Sequence, residues 1–238
     1  MNPAPLLVVR PEPGNAATLA AARALGLEVH REPLFEIVAT AWDAPPAAQF
    51  DAVLIGSANA LRHGGSAFAR YVGLPAYVVG KATAEAARSA GFEVAAAGSG
   101  GLQDLTARLA AHGRRRVLRL AGAEHVALAA PGTAIVTVVV YEAKPLPLNA
   151  ACAALLHNGA VVMLHSAAAA RHFASECTRH SVARGNIALA CLGPRVADAA
   201  GNGWGSVASA ERPDDTALLA LAARMCQNHR FGDTDNNI

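Results

Sequence analysis

Two serines stand 109 residues apart at points where a strand-like run gives way to a helix-like one. Ser57 follows Ala52-Val53-Leu54-Ile55-Gly56 and precedes Ala58-Asn59-Ala60-Leu61-Arg62-His63; Ser166 follows Val161-Val162-Met163-Leu164-His165 and precedes Ala167-Ala168-Ala169-Ala170-Arg171-His172. A hydroxyl at such a joint can cap the helix, with Asn59 as its neighbour, and capping alone accounts for it. The same place offers free N–H groups and partial positive charge to an anion. Gly80 and Gly193 occupy the next such joint in each half, after Tyr77-Val78-Val79 and Ala190-Cys191-Leu192. Recurrence of small and polar strand ends on two halves favours a cleft that holds an anionic ligand between them. Tyr141 ends the most β-branched run of the chain, from Ile135 to Val140. Its hydroxyl is delivered either to the mouth between the halves or to the rim of a core, and both readings stay open.

Other chemistry is disfavoured by spacing. His165 and His172 have no cysteine or carboxylate at ligand spacing, so a metal site is not expected. Gly98-Ser99-Gly100-Gly101 lacks the lysine of a phosphate loop and the spacing of a dinucleotide fingerprint, and reads as a connector. No Gly-x-Ser-x-Gly surrounds Ser166, which removes a nucleophile elbow. Cys152, Cys177, Cys191 and Cys226 show no close pair spacing and read as reduced thiols.

The elements that must position these residues form a repeat. After Gly80 and Gly193 come matching helices that end at Gly91 and Gly203, an aromatic (Phe92, Trp204), a short strand (Val94, Val207) and a helix carrying Leu105 or Leu218. The first copy continues into the strands Val117-Leu118-Arg119-Leu120 and Ile135–Tyr141, whereas the second runs out after Met225. The N-terminus supplies the missing pieces: a strand over Leu6–Arg10, a helix over Asn15–Leu25 stopped by Gly26, and a strand over Leu27–His30. The expected architecture is α/β, two similar lobes each with a parallel sheet flanked by helices. Lobe one is discontinuous (residues 1–36 and 146–238), and lobe two (37–145) is inserted in it. The two crossings, Pro33–Trp42 and Glu142–Pro147, are extended and Pro-containing, as a paired, two-stranded hinge requires.

A chain that is 53% hydrophobic and 16% charged can bury two cores, with fraying expected from Asn228 to Ile238. A net charge of +2 does not suggest a nucleic-acid partner, and Arg114-Arg115-Arg116 reads as a solvated loop end. No apolar run reaches membrane-span length and Met1-Asn2-Pro3 lacks the features of a signal peptide, so a cytoplasmic protein without membrane contact is expected.

Several stretches together resemble uroporphyrinogen-III synthases over nearly the whole length. They are Val9-Arg10-Pro11; Ala24-Leu25-Gly26-Leu27-Glu28-Val29 with Pro33-Leu34; Gly56-Ser57-Ala58-Asn59-Ala60-Leu61; Val79-Gly80-Lys81-Ala82-Thr83-Ala84 with Ala90-Gly91-Phe92-Glu93-Val94; Val140-Tyr141; and His165-Ser166 with Arg171-His172-Phe173. The resemblance implies the two-lobed fold argued above and a reaction. Linear hydroxymethylbilane loses its hydroxyl, ring D inverts through a spirocyclic intermediate, and uroporphyrinogen III closes without metal or organic cofactor.

By that resemblance Tyr141 assists loss of the hydroxyl, and Ser57, Asn59, Thr83 and Ser166 contact the substrate, with Arg10 a further candidate. Lys81 is another carboxylate partner to set against its alternative as an exposed lysine at a helix start. Gly56 and Val196 depart from the family, where threonines are common; Arg195 or a backbone amide would then replace a missing hydroxyl contact. A monomer is implied, supplied by the preceding pathway enzyme as its one candidate protein partner. Two alternatives remain: a two-lobed small-molecule-binding protein, and a synthase-like regulatory module without catalysis.

Overall fold

The structure is a computed structural model that describes residues 3–98 and 101–228. Ser99 and Gly100 of the expected connector, and the expected frayed tail beyond Asn228, lie outside the described residues. The chain divides into two compact units, Met1–Glu36 with Pro145–Ile238 (lobe one) and Ile37–Lys144 (lobe two).

Lobe one contains β1 (Leu6–Val8), α1 (Gly14–Ala24) and β2 (Val29–Arg31) from the N-terminal end of the chain. Lobe two begins with β3 (Phe35–Ala39), which crosses the boundary, and continues through β4 (Ala52–Ile55), α2 (Ala58–His63), β5 (Ala76–Val79), α3 (Lys81–Ser89), β6 (Val94–Gly98), α4 (Leu102–Ala111), β7 (Arg116–Gly122) and β8 (Ala134–Pro145). Lobe one resumes with α5 (Ala150–His157), β9 (Ala160–Leu164), α6 (Ala167–Arg179), β10 (Ile187–Cys191), α7 (Pro194–Ala200), β11 (Ser206–Ser209) and α8 (Asp215–Asn228).

The sheet of lobe one has the order β11-β10-β9-β1-β2 with all neighbours parallel. The N-terminal strand therefore lies inside a sheet otherwise made mostly by the C-terminal third. Its central strands β1, β9 and β10 are apolar on both faces, as a covered parallel sheet demands, whereas the edge strands β2 and β11 carry polar residues. Leu7, Val162, Leu164 and Leu189 point to α5, α6 and α7, and the alternate residues Leu6, Val8, Val161 and Met163 point to α1 and α8.

The sheet of lobe two runs β3-β8-β7-β4-β5-β6. Removal of β3 leaves the same order as lobe one, with β4 in the place of β9 and β7 in the place of β1. The lobes are thus circular permutations of one topology. Val53, Ile55, Leu118 and Leu120 face α2 and α3; Ala52, Leu54 and Val117 face α4. The parallel step from β7 to β8 is made by the loop 123–133 without a helix, and Leu128 of that loop packs on the α4 side.

Two boundaries differ from the sequence expectation. The second strand starts at Val29 because the Leu27 N–H still bonds to Ala22 O at 3.2 Å, closing α1. β8 does not end at Tyr141 but runs on to Pro145, since β3 lies beside it: Thr40 N–H donates to Val140 O at 3.2 Å and Leu146 N–H to Leu34 O at 2.8 Å. Phe35–Ala39 of the first crossing and Glu142–Pro145 of the second are accordingly strand residues.

Past β8 the chain is fastened to lobe one by buried carboxylates. Glu176 accepts the Leu148 N–H at 2.7 Å and pairs with Arg179, and Glu32 accepts from the N–H of Asn149 at 2.6 Å and from its side-chain amide. The Arg179 guanidinium holds Glu176 below the ordinary carboxylate range.

Candidate functional site

A pocket of about 190 Å³ opens in lobe two at the carboxyl ends of β4 and β7. Strand order reverses between these two strands, since β5 and β6 lie on one side of β4 and β7 and β8 on the other. Ligands of open parallel sheets gather at such points. The lining comprises Gly56 and Ser57 after β4, Leu102 at the start of α4, Arg119–Gly122 of β7, Glu124–Val126 of the crossover loop, and Tyr141 of β8.

Ser57 is the N-cap of α2, its Oγ accepting the Asn59 N–H at 3.2 Å. The Asn59 side chain in turn accepts from Arg62 at 3.1 Å, which directs it along the helix. Tyr141 is half-buried and packs on the apolar cluster of α2 and α3 with its ring tilted toward His63, 6.5 Å between centroids. Among the described residues its hydroxyl has no hydrogen-bond partner, and the ring borders the pocket. Gly122, opposite Tyr141 in the ladder at a register shift, makes room for that ring. A Cβ on Gly122 would lie 2.7 Å from Tyr141 Cζ.

Arg119 was not among the residues singled out from sequence. It is 3% exposed, sits in the middle of β7 and borders the pocket. Its guanidinium donates one hydrogen bond, to Val126 O at 2.7 Å, and Nε has no partner. Burial pulls its pKa down and an electrostatic interaction with Tyr141 pulls it up. Composition offered no signal for it, because an arginine three residues after Arg114-Arg115-Arg116 reads as part of a basic run. That run lies at the opposite end of the strand. Arg115 and Arg116 are exposed, their backbone N–H groups both bond to Asp51 at 2.8 Å, and Arg116 lies over the Phe50 ring at 5.8 Å.

Thr83 and Lys81 occupy the first turn of α3, one joint away from the pocket, and neither lines it. Thr83 is 5% exposed, whereas the Lys81 side chain is 92% exposed with Nζ 3.9 Å from Glu85.

The remaining candidates belong to lobe one. Ser166 caps α6, accepting the Ala169 N–H at 3.1 Å. Arg195 is exposed at the start of α7, with no hydrogen bond or ion pair among the described residues, and Val196 turns into the core. Arg10 is drawn into a partly exposed cluster at the lobe's own reversal of strand order. Asn15 fixes the end of β1 by donating to Val8 O at 2.9 Å and Arg10 O at 2.8 Å, and the Arg10 guanidinium pairs with Asp215. Asp214 caps α8 through the Ala217 N–H, which frees Asp215 to meet both Arg10 and His165, the latter at 3.3 Å. The contact with His165, and next the Arg10 guanidinium, hold Asp215 well below the ordinary carboxylate range. Burial keeps His165 below 6.5 although Asp215 acts the other way.

The four cysteines are free and buried; burial pushes Cys152, Cys177 and Cys191 up to about 12 and Cys226 up to about 11, so these thiols stay protonated at neutral pH. Among the described residues no group of three His, Cys, Asp or Glu side chains could hold a metal ion. No helix among them is long and apolar enough to cross a membrane.

Comparison with solved structures finds the same fold in a uroporphyrinogen-III synthetase from Helicobacter pylori 26695, with a TM-score of 0.64 at 19% identity over 94% of this chain and 100% of that one. A mutant uroporphyrinogen III synthase from the extremely thermophilic bacterium Thermus thermophilus gives 0.57 at 17% identity over 95% of this chain and 100% of that one. Comparison with the curated proteins found no match. The family model described as uroporphyrinogen-III synthase HemD matches residues 16–220, which include the pocket, Tyr141 and both capping serines. The chain belongs to the uroporphyrinogen-III synthase family.

Proposed function

We propose that this protein converts hydroxymethylbilane to uroporphyrinogen III in tetrapyrrole and haem biosynthesis, as a carbon–oxygen lyase that needs no metal or organic cofactor. Family membership supports the reaction. The observation that carries the choice of residues is the Tyr141 hydroxyl, unpartnered among the described residues at a pocket where strand order reverses.

In this reading Tyr141 donates a hydrogen bond or proton to the substrate's terminal hydroxyl. The carbon–oxygen bond breaks with its electron pair leaving on oxygen, water departs, and a pyrrole nitrogen lone pair stabilises the cationic carbon left behind. The substituted carbon of ring D attacks first, giving the spirocyclic intermediate; the subsequent rearrangement inverts that ring before the macrocycle closes. The free bilane closes on its own to the unflipped isomer, so the protein's task is to hold one chain conformation. Ser57 and Asn59 in lobe two and Ser166 in lobe one are the proposed contacts for its acetate and propionate arms. Thr83, Lys81, Arg10 and Arg195 are further candidates. Of these, Arg10 would have to leave Asp215 to serve. We place the enzyme in the cytoplasm as a monomer that takes its substrate from the preceding enzyme of the pathway.

The test is to supply hydroxymethylbilane, oxidise the product and separate isomers I and III by chromatography. Isomer III in excess supports the reading. Isomer I alone removes it.

A further inference from the structure

Comparison of the two lobes position by position isolates Arg119. Equivalent residues of β4 and β9 are 109 apart, so Leu54 corresponds to Met163; in the sheets Leu54 stands opposite Arg119 and Met163 opposite Val8. The buried guanidinium of lobe two thus takes the register position of a core valine in lobe one. An apolar residue suffices there for folding, and an arginine must be desolvated to occupy it, at a cost that calls for a compensating partner.

Lobe one meets the cost of its own cation internally. Arg10, His165 and Asp215 form one cluster. The equivalents of these three residues in lobe two are Ala121, Gly56 and Leu102, all small or apolar and all lining the pocket. No carboxylate stands on α4 where Asp215 stands on α8. Glu124, the one acidic residue of the lining, is exposed on the crossover loop and forms no ion pair with Arg119 among the described residues. A gap therefore opens in lobe two where lobe one is filled, and a buried cation borders it, tethered through one nitrogen to Val126 O.

We infer that this pocket is a single-carboxylate subsite, in which Arg119 receives one carboxylate arm of the substrate beside the Tyr141 hydroxyl. The inference rests on the reading of the substrate as a polycarboxylate and adds which side chain carries the charge complement. A buried guanidinium binds a carboxylate through charge-assisted hydrogen bonds that surface lysines cannot match. Anchoring one arm next to Tyr141 would also fix which end of the bilane meets it.

The experiment follows the Nε–H resonance of Arg119 in the full-length protein, assigned by its disappearance in Arg119→Lys, during titration with sodium propionate and, separately, propionamide. A saturable shift with propionate and none with propionamide is the expected result. No movement with propionate, or equal movement with both, overturns the inference. In parallel, Arg119→Gln is expected to raise KM about tenfold or more with a smaller effect on kcat. An unchanged KM with a reduced kcat would show a residue that only holds the crossover loop, and would also overturn it. Should that variant fail to fold, the wild-type titration decides alone. Wild-type conversion to isomer III, measured on the same preparation, separates the two readings: its absence with the propionate response intact removes the synthase reading and leaves the subsite, and the reverse removes the subsite alone.

Discussion

The ring of Tyr141 lies against the backbone of Gly122, so close that a β-carbon there would stand 2.7 Å from Cζ and 3.0 Å from the hydroxyl oxygen. The two residues face each other across β7 and β8 where the register slips. Backbone thus forms one wall of the tyrosine's slot, and the position of the hydroxyl depends on a residue with no side chain. Gly122→Ala is expected to displace the ring and cut formation of isomer III, while Tyr141→Phe removes only the hydroxyl and slows the reaction about 100-fold with the thermal midpoint preserved. The double variant should be no slower than the worse single one. Wild-type turnover in Tyr141→Phe would take the hydroxyl out of the mechanism.

Gly56 is small for a local reason. A β-carbon there would meet Leu102 Cδ1 at 2.9 Å, so the space where a threonine is common in the family is filled by leucine. Gly56→Thr is expected to lower stability by about 1–3 kcal/mol through overpacking, with recovery of most of it in combination with Leu102→Ala. Urea denaturation of the single and double variants measures this, and a loss unrelieved by Leu102→Ala would mean that the strain lies elsewhere.

The re-entry into lobe one rests on Glu176, whose side chain is 9% exposed. Glu176→Ala leaves the buried Leu148 N–H without its acceptor and should cost about 1–3 kcal/mol. Because the folded-state pKa of Glu176 is lowered, its contribution is complete at neutral pH and disappears as pH falls below its ordinary 4.5 and through the folded value. The stability difference between wild type and variant should therefore shrink on acidification, and a difference that is flat from about pH 7 to about pH 3 would contradict this account.

His165 makes a separate pH prediction. Its folded-state pKa lies below 6.5, so the unfolded chain binds the proton more readily and stability declines as pH falls below 6.5, levelling off below the folded value. The charged groups facing the ring are Asp215 and Arg10, of opposite sign, which limits the size of the effect. Unfolding midpoints recorded between about pH 8 and about pH 5 should drop less in His165→Asn than in wild type. Parallel profiles would show that the histidine is not buried neutral.

Thiol reagents offer a simple check of the cores of lobe one. Cys152, Cys177, Cys191 and Cys226 are buried with raised pKa values, so none should react in the folded protein and all four should titrate on unfolding. A fast-reacting thiol in native buffer would locate an opening in that lobe.

The order of elements, the repeat and both capping serines were legible in sequence because they rest on local rules. Strand residues buried on both faces write continuous apolar runs such as Val161–Leu164, and a helix start needs an acceptor like Ser57 or Ser166. The completion of lobe one by the N-terminus could be read as well, since the second copy lacks two strands and an uncovered sheet cannot stand. Side-chain environment was not legible. Whether Arg10 is free or paired depends on Asp215, which lies 205 residues away along the chain, and Arg119 differs from its basic neighbours only in facing inward from the middle of β7. The extent of β8 beyond Tyr141 depended on β3 lying beside it. Chain-local periodicity and capping are fixed by neighbours within a few residues, whereas burial, charge pairing and the gap beside Tyr141 arise only when distant strands and helices are packed together.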